Sequence, residues 1–465
     1  MSRSPKRPRR PRIPARLRVV AGLVTALGVL GAAACAPGSD SEKPSGGGDD
    51  RAVQTDAAKL GDVTLTVWDQ EVRGGQDEQM KTLNEAFHAK YPNITINRVS
   101  RSFDDLGATL RLALSGNDAP DVVQANNGRA DMGTFVRAQQ LVSLEPWAKA
   151  YGWADRYPDS VLQYSRYSPD GKTFGEGNVY GLPQVGEIVG IFYSKDKLNT
   201  LGIQPPKTWA EFTAALATAK QRGEIPLQLG NLDKWPALHV FGTIQGQHVP
   251  ADTITTLGFG RSGASWTTPE NTKAAEELVT WVNSGYFNDS PNGTDYDKAW
   301  QNFAAGQGVF LIAGSWLGPD LGKAMGDKVG FVAPPPGPDG KVAATGGTGL
   351  PFTVTSKAKN PDAAAAYINF ITSSEAMSTL TKTGNMPVVE TAEQQKPGGV
   401  QGDVFTAFGS TTESGRLVPY LDYATPTMGD TLGAALQDLM AKKINPQQFL
   451  QKLQDDNAKF LDGNG

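Results

Sequence analysis

The sequence predicts an α/β protein whose mostly parallel sheets are flanked by helices and whose chain divides into two lobes. The chain has 465 residues, which is enough for two or three domains of ordinary size. Strand-like segments alternate with amphipathic helical segments along it. A cluster of helix and strand breakers, PPPGPDG at 334–340, indicates a crossing or surface loop. In such proteins, ligand pockets form preferentially between lobes.

A targeting segment precedes the folded part. The first 34 residues hold eight Lys and Arg and no acid, and they end in the uncharged run VVAGLVTALGVLGAAA at 19–34. A basic stretch followed by a short apolar run and small residues is typical of an export signal. The run is shorter than the roughly 20 residues of a membrane-spanning helix. We therefore expect residues 1–34 to be a signal peptide.

The segment 35–59 has a different composition. It is rich in Gly, Ser, Pro and charged residues, and such sequences bury too little apolar surface to fold. We expect it to be a flexible tether that separates the folded part from the signal.

The composition excludes several classes of function. Beyond residue 34 the formal charge is −12, whereas nucleic-acid binding needs a basic surface. One cysteine and three histidines leave no zinc-binding pattern. The glycine pattern of Gly258, Gly260 and Gly263 is followed by a turn rather than by the helix of a dinucleotide site. We expect no nucleic acid, no metal and no cofactor.

The folded part begins with a β-α-β unit. The stretch DVTLTVWD at 62–69 alternates apolar and polar residues, as a half-buried strand does. Residues 78–91 place apolar side chains at helical spacing, and Pro92 ends the helix. The following ITINRV at 94–99 returns to the period of a strand.

The alternation continues downstream. Further strands are expected in DVVQA at 121–125 and VFLIAG at 309–314. Thr208 is a candidate N-cap with Glu211 completing a capping box, so we expect Trp209 between them to be structural. Amphipathic spacing predicts helices at 104–115, 208–222, 268–284, 296–305, 361–373 and 428–443.

Four segments carry a resemblance to a known family. They are GLPQVGEIVGIFYSKDKLNTLGIQPPKTWAEF (181–212), FAAGQGVFLIAGSW (303–316), GGTGLPFTV (346–354) and NPDAAAAYINFITSSEA (360–376). In this order they resemble the sugar-binding family of extracytoplasmic solute-binding proteins of ABC importers, which includes maltose-binding protein. The resemblance covers about residues 62–460.

The resemblance implies a two-lobe, type II periplasmic-binding-protein-like fold with a hinge. Lobe 1 is then expected to comprise 60–185 and 333–372, and lobe 2 to comprise 186–332 and 373–465. The implied function is to capture a sugar or oligosaccharide between the lobes, without reacting it, and to deliver it to the permease subunits of an ABC transporter. We expect a monomer.

The only cysteine, Cys35, directly follows three alanines. This position resembles the lipobox of bacterial lipoproteins, which implies a lipid on Cys35 that holds the protein at the outer face of the cell membrane. The membrane is then a partner through this anchor alone. An ordinary signal peptide with a chance cysteine is the alternative.

Candidate sugar contacts follow from the chemistry of carbohydrates. Sugars present hydroxyl groups and apolar C–H faces, so their sites combine aromatic faces with carboxylate, amide and guanidinium groups. Trp316 ends the strand VFLIAG and matches the family's stacking tryptophan. Trp235, with neighbouring Asp233, matches an aromatic position of the second lobe. Core packing is the alternative for Trp316, and packing between the lobes is the alternative for Trp235.

Glu187 lies in the segment that resembles the lobe crossing. A carboxylate inside an apolar run is costly unless it is paired, so we expect it in the cleft, where relatives place a ligand-binding glutamate. A solvated hinge residue is the alternative.

Polar residues at two predicted strand ends are also candidates. Asn126, Asn127 and Arg129 follow one strand, and we expect at least one of them to contact ligand, with turn formation as the competing use. Asp69 and Arg73 end the first strand in a comparable position.

Small and aromatic residues complete the candidate site. Gly346 and Gly347 permit either a close approach to ligand or an unusual backbone dihedral, and the sequence leaves both open. Tyr420 and Tyr423 precede the helix at 428–443, where relatives supply an aromatic contact.

Two alternative functions stay open. Within the binding class, the ligand could be a glycerophosphodiester or a polyamine, and a polyamine would need clustered acids in the cleft. The other class is a secreted glycosidase, which needs two carboxyl groups about 5 to 9.5 Å apart across one cleft. Asp295 and Asp297 could be such a pair, although their position at a predicted helix start more simply favours the helix dipole.

Overall fold

The computed structural model describes residues 52–394 and 398–464. Cys35, the predicted signal peptide 1–34 and most of the predicted tether lie outside these residues. The predicted tether, 35–59, is too long at its C-terminal end. Its last three residues, Ala57–Lys59, form a short 3-10 helix capped by the Asp56 side chain. Ala57 is buried in the core, which fixes this end of the segment.

The described residues contain twelve strands and eighteen α-helices. The strands are β1 Val63–Asp69, β2 Ile94–Ser100, β3 Val122–Gln124, β4 Arg166–Tyr167, β5 Asn178–Val179, β6 Gly186–Ser194, β7 Leu227–Gln228, β8 Phe310–Gly314, β9 Val329–Val332, β10 Ala343–Thr348, β11 Phe352–Val354 and β12 Arg416–Val418. The helices are α1 Gly74–Lys90, α2 Phe103–Ser115, α3 Thr134–Arg137, α4 Glu145–Tyr151, α5 Trp153–Arg156, α6 Asp159–Leu162, α7 Lys195–Leu201, α8 Trp209–Gln221, α9 Pro236–Gln245, α10 Ala251–Gly258, α11 Pro269–Asn283, α12 Tyr296–Ala304, α13 Gly318–Met325, α14 Pro361–Ile371, α15 Ser374–Lys382, α16 Gly399–Ser414, α17 Met428–Met440 and α18 Pro446–Asn464.

All seven helices expected from apolar spacing are present, as α1, α2, α8, α11, α12, α14 and α17. The capping box at the start of α8 is confirmed, since Thr208 and Glu211 each bond the other's backbone N–H. Trp209 lies on α8 and packs against Trp281 and Phe212. Its structural role is therefore confirmed.

Two main sheets organise the chain. The first has the order β11-β3-β1-β2, with β1 parallel to β2 and β3, and β11 antiparallel to β3. The second has the order β12-β10-β6-β8-β7, with β9 also paired to β6. This second sheet is mixed rather than mostly parallel, because β6 pairs antiparallel with β8, β9 and β10.

We call the first sheet with α1 to α6, α14 and α15 lobe 1, and the second sheet with α7 to α13 and α16 to α18 lobe 2. Strand β10, within the predicted lobe 1 range 333–372, is hydrogen-bonded to β6 and β12 of lobe 2. Helix α15, within the predicted lobe 2 range 373–465, packs in the lobe 1 core through Met377 and Leu380. The sequence division therefore differs from the sheets at these two places, because strand pairing and packing depend on contacts far away in the chain.

The chain passes between the lobes three times: before β6, between β10 and β11, and between α15 and α16. The first two of these passages are neighbouring segments. Leu182 bridges to Phe352 of β11 in lobe 1, and four residues later Gly186 begins β6 in lobe 2. The return passage runs from β10 to β11, and Gly349 donates its N–H to the Val185 carbonyl. The lobes are thus connected by short paired segments at which a hinge can act.

The helices of the described residues are up to 19 residues long, the longest being α18. None of them is both long and apolar enough to cross a membrane.

Candidate functional site

A pocket lies where the two lobes meet. It encloses about 110 Å³ and is placed by the carboxyl ends of β1 and β3 in lobe 1 and by the start of β6 and the end of β8 in lobe 2. Because β1 and β3 are parallel, their ends and the loops after them reach the same sheet edge. The lining residues are Gln70, Arg73, Gln76, Phe103, Asn126, Glu187, Trp235, Leu238, His239, Trp316, Leu350, Tyr420, Asp422 and Tyr423.

The lobe 2 wall of the pocket is aromatic. The ring centroid of His239 lies 5.5 Å from that of Trp235, 5.4 Å from that of Trp316 and 5.7 Å from that of Tyr420. Tyr420 in turn contacts Tyr423 at 5.3 Å. Aromatic faces suit the apolar C–H face of a sugar ring.

Tyr296 fixes both tryptophans of this wall. Its ring lies 4.5 Å from that of Trp235, and its hydroxyl accepts a 2.8 Å hydrogen bond from Trp316 Nε1. Trp316 is half-buried, as expected for a side chain that lines an opening. Tyr296 begins α12, so the start of that helix sets the orientation of the aromatic wall.

The lobe 1 wall is mostly polar. It contributes the side chains of Gln70, Arg73, Gln76 and Asn126. Arg73 precedes α1, and its Nη2 lies 3.0 Å from Asp297 Oδ1 of α12 in the other lobe. The guanidinium carbon also lies 5.6 Å from the centre of the Tyr296 ring. Arg73 therefore joins the lobes at the edge of the aromatic wall.

Two buried glutamates, Glu187 in the pocket lining and Glu71 near it, interact with each other. Burial, with the nearby charge of Glu71, raises the pKa of Glu187 to about 8, although Glu187 accepts a hydrogen bond from Tyr420 Oη at 3.2 Å. Burial also raises the pKa of Glu71 to about 7, against a 2.7 Å hydrogen bond from Gln124 Nε2. At neutral pH Glu187 is mostly protonated, so it can donate as well as accept a hydrogen bond.

Two aspartates at or near the pocket also have raised pKa values. Burial raises the pKa of Asp422, which lines the pocket, to about 7. Burial and the charge of Asp233 raise that of Asp104 to about 6. Asp104 lines an adjoining groove of about 370 Å³ that shares Phe103, Asn126 and Leu350 with the pocket.

Seven of the predicted contacts are brought together in this pocket. They are Arg73, Asn126, Glu187, Trp235, Trp316, Tyr420 and Tyr423. Glu187 is the second residue of β6, just beyond the lobe crossing. It pairs with Gly347 of β10. The crossing segment thus carries it to the pocket lining.

The remaining predicted contacts have other partners. Asp69 is buried and forms a two-point ion pair with Arg98. Asn127 is buried, and its Nδ2 donates to the Gly349 carbonyl. Arg129 donates to the backbone carbonyls of Lys172, Phe259 and Ala424. Asn127 and Arg129 thus hold backbone segments, Asp69 holds the Arg98 side chain, and none of the three lines the pocket.

Asp233, Gly346 and Gly347 also lie outside the lining. Asp233 is half-buried beside α12. A Cβ on Gly346 would lie 2.4 Å from the Glu187 carbonyl oxygen. Gly347 has φ +136°, and a Cβ there would meet the Tyr164 ring at 2.8 Å. The glycines therefore serve close strand pairing and an unusual dihedral.

The sequence reasoning missed several lining residues, namely Gln70, Gln76, Phe103, Leu238, His239, Leu350 and Asp422. Gln70 directly follows β1, so it lies at the same strand end as Asp69 and Arg73 and its position marks it as a candidate. Phe103 and Gln76 lie in helix starts and give no signal of their own. His239 and Leu238 lie on a helix without a polar face.

Comparisons with known proteins identify the family. The family of bacterial extracellular solute-binding proteins matches residues 74–378, which is more than half of the chain. The chain belongs to this family. It is 23% identical over 341 residues to a multiple sugar-binding protein of Streptococcus mutans, covering 70% of this chain and 75% of that protein. It is 27% identical over 326 residues to an uncharacterized ABC transporter extracellular-binding protein of Pyrococcus horikoshii, covering 68% and 69%.

A solved structure shows the same fold. A chitin oligosaccharide binding protein superposes with a TM-score of 0.74 at 21% identity, covering 85% of this chain and 98% of that one. The expectation of a two-lobe solute-binding fold is confirmed. This solute-binding protein therefore carries its pocket between the lobes, where the fold's hinge can open and close it.

Proposed function

We propose that this solute-binding protein captures a neutral sugar or oligosaccharide in the pocket between its lobes and delivers it to the permease subunits of an ABC importer. The observation that carries the proposal is the division of the pocket into an aromatic wall and a polar wall on opposite lobes. A sugar ring needs both kinds of surface at once. The names of the relatives, which include a multiple sugar-binding protein, support the same ligand class.

The charges of the pocket support a neutral ligand over the two other solute classes. A glycerophosphodiester needs an available cation, and Arg73 in the lining is already paired with Asp297. A polyamine needs ionised carboxylates, whereas burial raises the pKa of Glu187 to about 8 and that of Asp422 to about 7. The clustering of acids keeps the polyamine as the second candidate.

The proposal makes this chain a binding protein and not a glycosidase. Glu187 accepts its hydrogen bond from Tyr420 and lines the pocket. Asp295 caps α12 through a 2.9 Å bond from the Lys298 N–H, and Asp297 pairs with Arg73. The carboxyl pair considered from the sequence is therefore engaged in structural contacts.

A thermal-shift screen tests the ligand class. The panel is D-galactose, melibiose, raffinose, maltotriose and chitotriose, with spermidine and glycerophosphocholine as the competing classes. A ligand that binds only the folded state raises the melting temperature as its concentration increases. We expect a shift with at least one sugar, which is recovered intact, and none with spermidine. A shift with spermidine alone would replace the sugar by a polyamine.

We also propose that Cys35 carries a lipid that holds the protein at the outer face of the cell membrane. The proposal is supported by the position of the single cysteine after an export signal and by a family of extracellular proteins. Cys35→Ala should release the protein from the membrane fraction without changing its affinity for sugar. A processed variant that stays in the membrane would contradict the anchor.

A further inference from the structure

His239 is a buried polar side chain whose ring nitrogens have no partner. It lies on α9, is 4% exposed and lines the pocket. Within residues 52–394 and 398–464, neither Nδ1 nor Nε2 of His239 has a hydrogen-bond partner. Buried polar groups are usually hydrogen-bonded, so this side chain calls for a partner that the chain itself does not supply.

The surroundings of His239 keep the imidazole neutral. Three aromatic rings, those of Trp235, Trp316 and Tyr420, lie within 6 Å of its centroid. Burial lowers the pKa of His239 to about 3. A neutral imidazole offers one N–H donor and one acceptor nitrogen, and a hydroxyl group can pair with either.

The lobe 1 wall also has buried polar atoms that lack a hydrogen-bond partner among the described residues. Gln76 Oε1 and Arg73 Nε are buried, line the pocket from lobe 1 and lack a partner among the described residues. The pocket thus presents an acceptor and a donor from lobe 1 to a donor and an acceptor from His239 in lobe 2. A hydroxyl group both donates and accepts, so a compound with several hydroxyls can bond to both walls.

We propose that His239 contacts the sugar directly, through a hydrogen bond between one of its ring nitrogens and one of the sugar's hydroxyl groups. The inference rests on the proposed sugar-binding function and adds a residue that determines which sugar is accepted. A sugar that lacks the hydroxyl facing His239 would leave the nitrogen unpaired in the closed pocket. Sites that hydrogen-bond a substrate hydroxyl reject analogues without it for this reason.

Binding to the full chain and to His239→Phe tests the contact. Phenylalanine keeps a ring among the aromatic neighbours and removes both nitrogens. We expect the sugar of the panel that binds wild type best to bind this variant about 5- to 50-fold more weakly by calorimetry. The matched control is His248→Gln, because His248 pairs with Glu277 and lies outside the pocket lining. It should leave affinity unchanged.

Labelled histidine gives a second readout that does not depend on the variant. The chain has three histidines, so ¹⁵N-histidine labelling yields three imidazoles that single substitutions assign. Saturating raffinose, or whichever panel sugar binds, should shift the ring nitrogen resonances of His239 and leave those of His88 and His248 in place. A hydrogen bond to the sugar changes the resonance of the ring nitrogen that forms it, whereas a side chain that only packs in the wall forms no such bond.

Monodeoxy derivatives of the bound sugar identify the hydroxyl. One derivative should lose affinity for wild type yet bind His239→Phe as well as the parent sugar does, because the two partners of one bond have then both been removed. Undiminished binding by His239→Phe together with unmoved His239 resonances would overturn the proposal. Absence of any sugar binding to wild type would instead overturn the proposed function.

Discussion

Trp316 and Trp209 separate the binding role of a tryptophan from its structural role. Trp316 lines the pocket and is held by Tyr296. Trp209 lies outside the pocket, stacks on Trp281 at 5.6 Å and donates from Nε1 to Glu277 Oε1. One side chain lines the pocket, and the other packs against the core of lobe 2.

Trp316→Ala should weaken sugar binding by about 5- to 150-fold, because it removes apolar contact and an aromatic face from the pocket. Trp209→Ala should lower the free energy of unfolding by about 3 kcal/mol and leave affinity nearly unchanged. Calorimetric titration and thermal melts on both variants measure the two effects. If Trp316→Ala binds normally and is the less stable variant, Trp316 is a core residue.

Glu187 should make the protein less stable as the pH rises. Its pKa is about 8 in the folded state and near 4.5 when unfolded. Between these values the folded state holds a proton that the unfolded state has lost, so stability falls with increasing pH. Glu187→Gln removes this loss. We expect the free energy of unfolding of the variant, minus that of wild type, to increase between about pH 5 and pH 8. The increase should be at most about 1.4 kcal/mol per pH unit.

Denaturant unfolding across this pH range measures the effect. The matched control is Glu176→Gln, since the Glu176 side chain is 74% exposed. A pH profile of Glu187→Gln that runs parallel to that of wild type, as the control's should, would show that Glu187 is ionised in the folded protein.

At the scale of elements, α1 and α12 meet across the pocket through Arg73 and Asp297. Phe103 at the start of α2 likewise lies against Trp235 of lobe 2, with ring centroids 5.8 Å apart. These contacts join side chains of opposite lobes, so they form only when the lobes are together. They should stabilise the ligand-bound arrangement.

Asp297→Asn should weaken sugar binding by about 2- to 5-fold at low ionic strength, because it removes a partly exposed ion pair that favours closure. The difference from wild type should shrink in salt. Asp196→Asn is the control, since Asp196 pairs at 3.2 Å with Lys328 of the same lobe. Equal effects of the two substitutions on affinity would mean that the Arg73 pair has no special role in closure.

Among the helices, a clear alternation between core and solvent made prediction from the sequence possible. Helices α1, α2 and α12 each have one buried face and one exposed face, and all were predicted. Helix α9 was missed because all ten of its residues are buried, so it has no hydrophobic period. His239 was missed with it. A buried helix carries no pattern that marks which of its residues faces a ligand.

At the scale of the whole molecule, the two sides of the lobe junction differ. On one side the chain crosses in short paired segments, and Arg129 of lobe 1 donates to the carbonyls of Phe259 and Ala424 in lobe 2. On the other side the lobes meet through side chains such as Arg73 and Phe103. We expect the first side to act as the hinge and the second to part when the pocket opens.

The lobe junction also marks the limit of prediction from sequence. Family resemblance and strand ends located seven lining residues, including Glu187 beside the crossing. Arg129 and Asn127 share the same strand-end loop as Asn126, yet they bond to backbone segments of distant parts of the chain. Local sequence does not show which of several adjacent polar residues faces the pocket, because that depends on the contacts between the lobes.

Solution X-ray scattering, with and without the neutral sugar that calorimetry shows to bind, tests most directly whether the ligand is captured between the lobes. A ligand that contacts both walls favours the closed arrangement. The radius of gyration should therefore fall when sugar is added and match that calculated for the structure described here. Confirmed binding with an unchanged radius of gyration would contradict capture by closure of the two lobes.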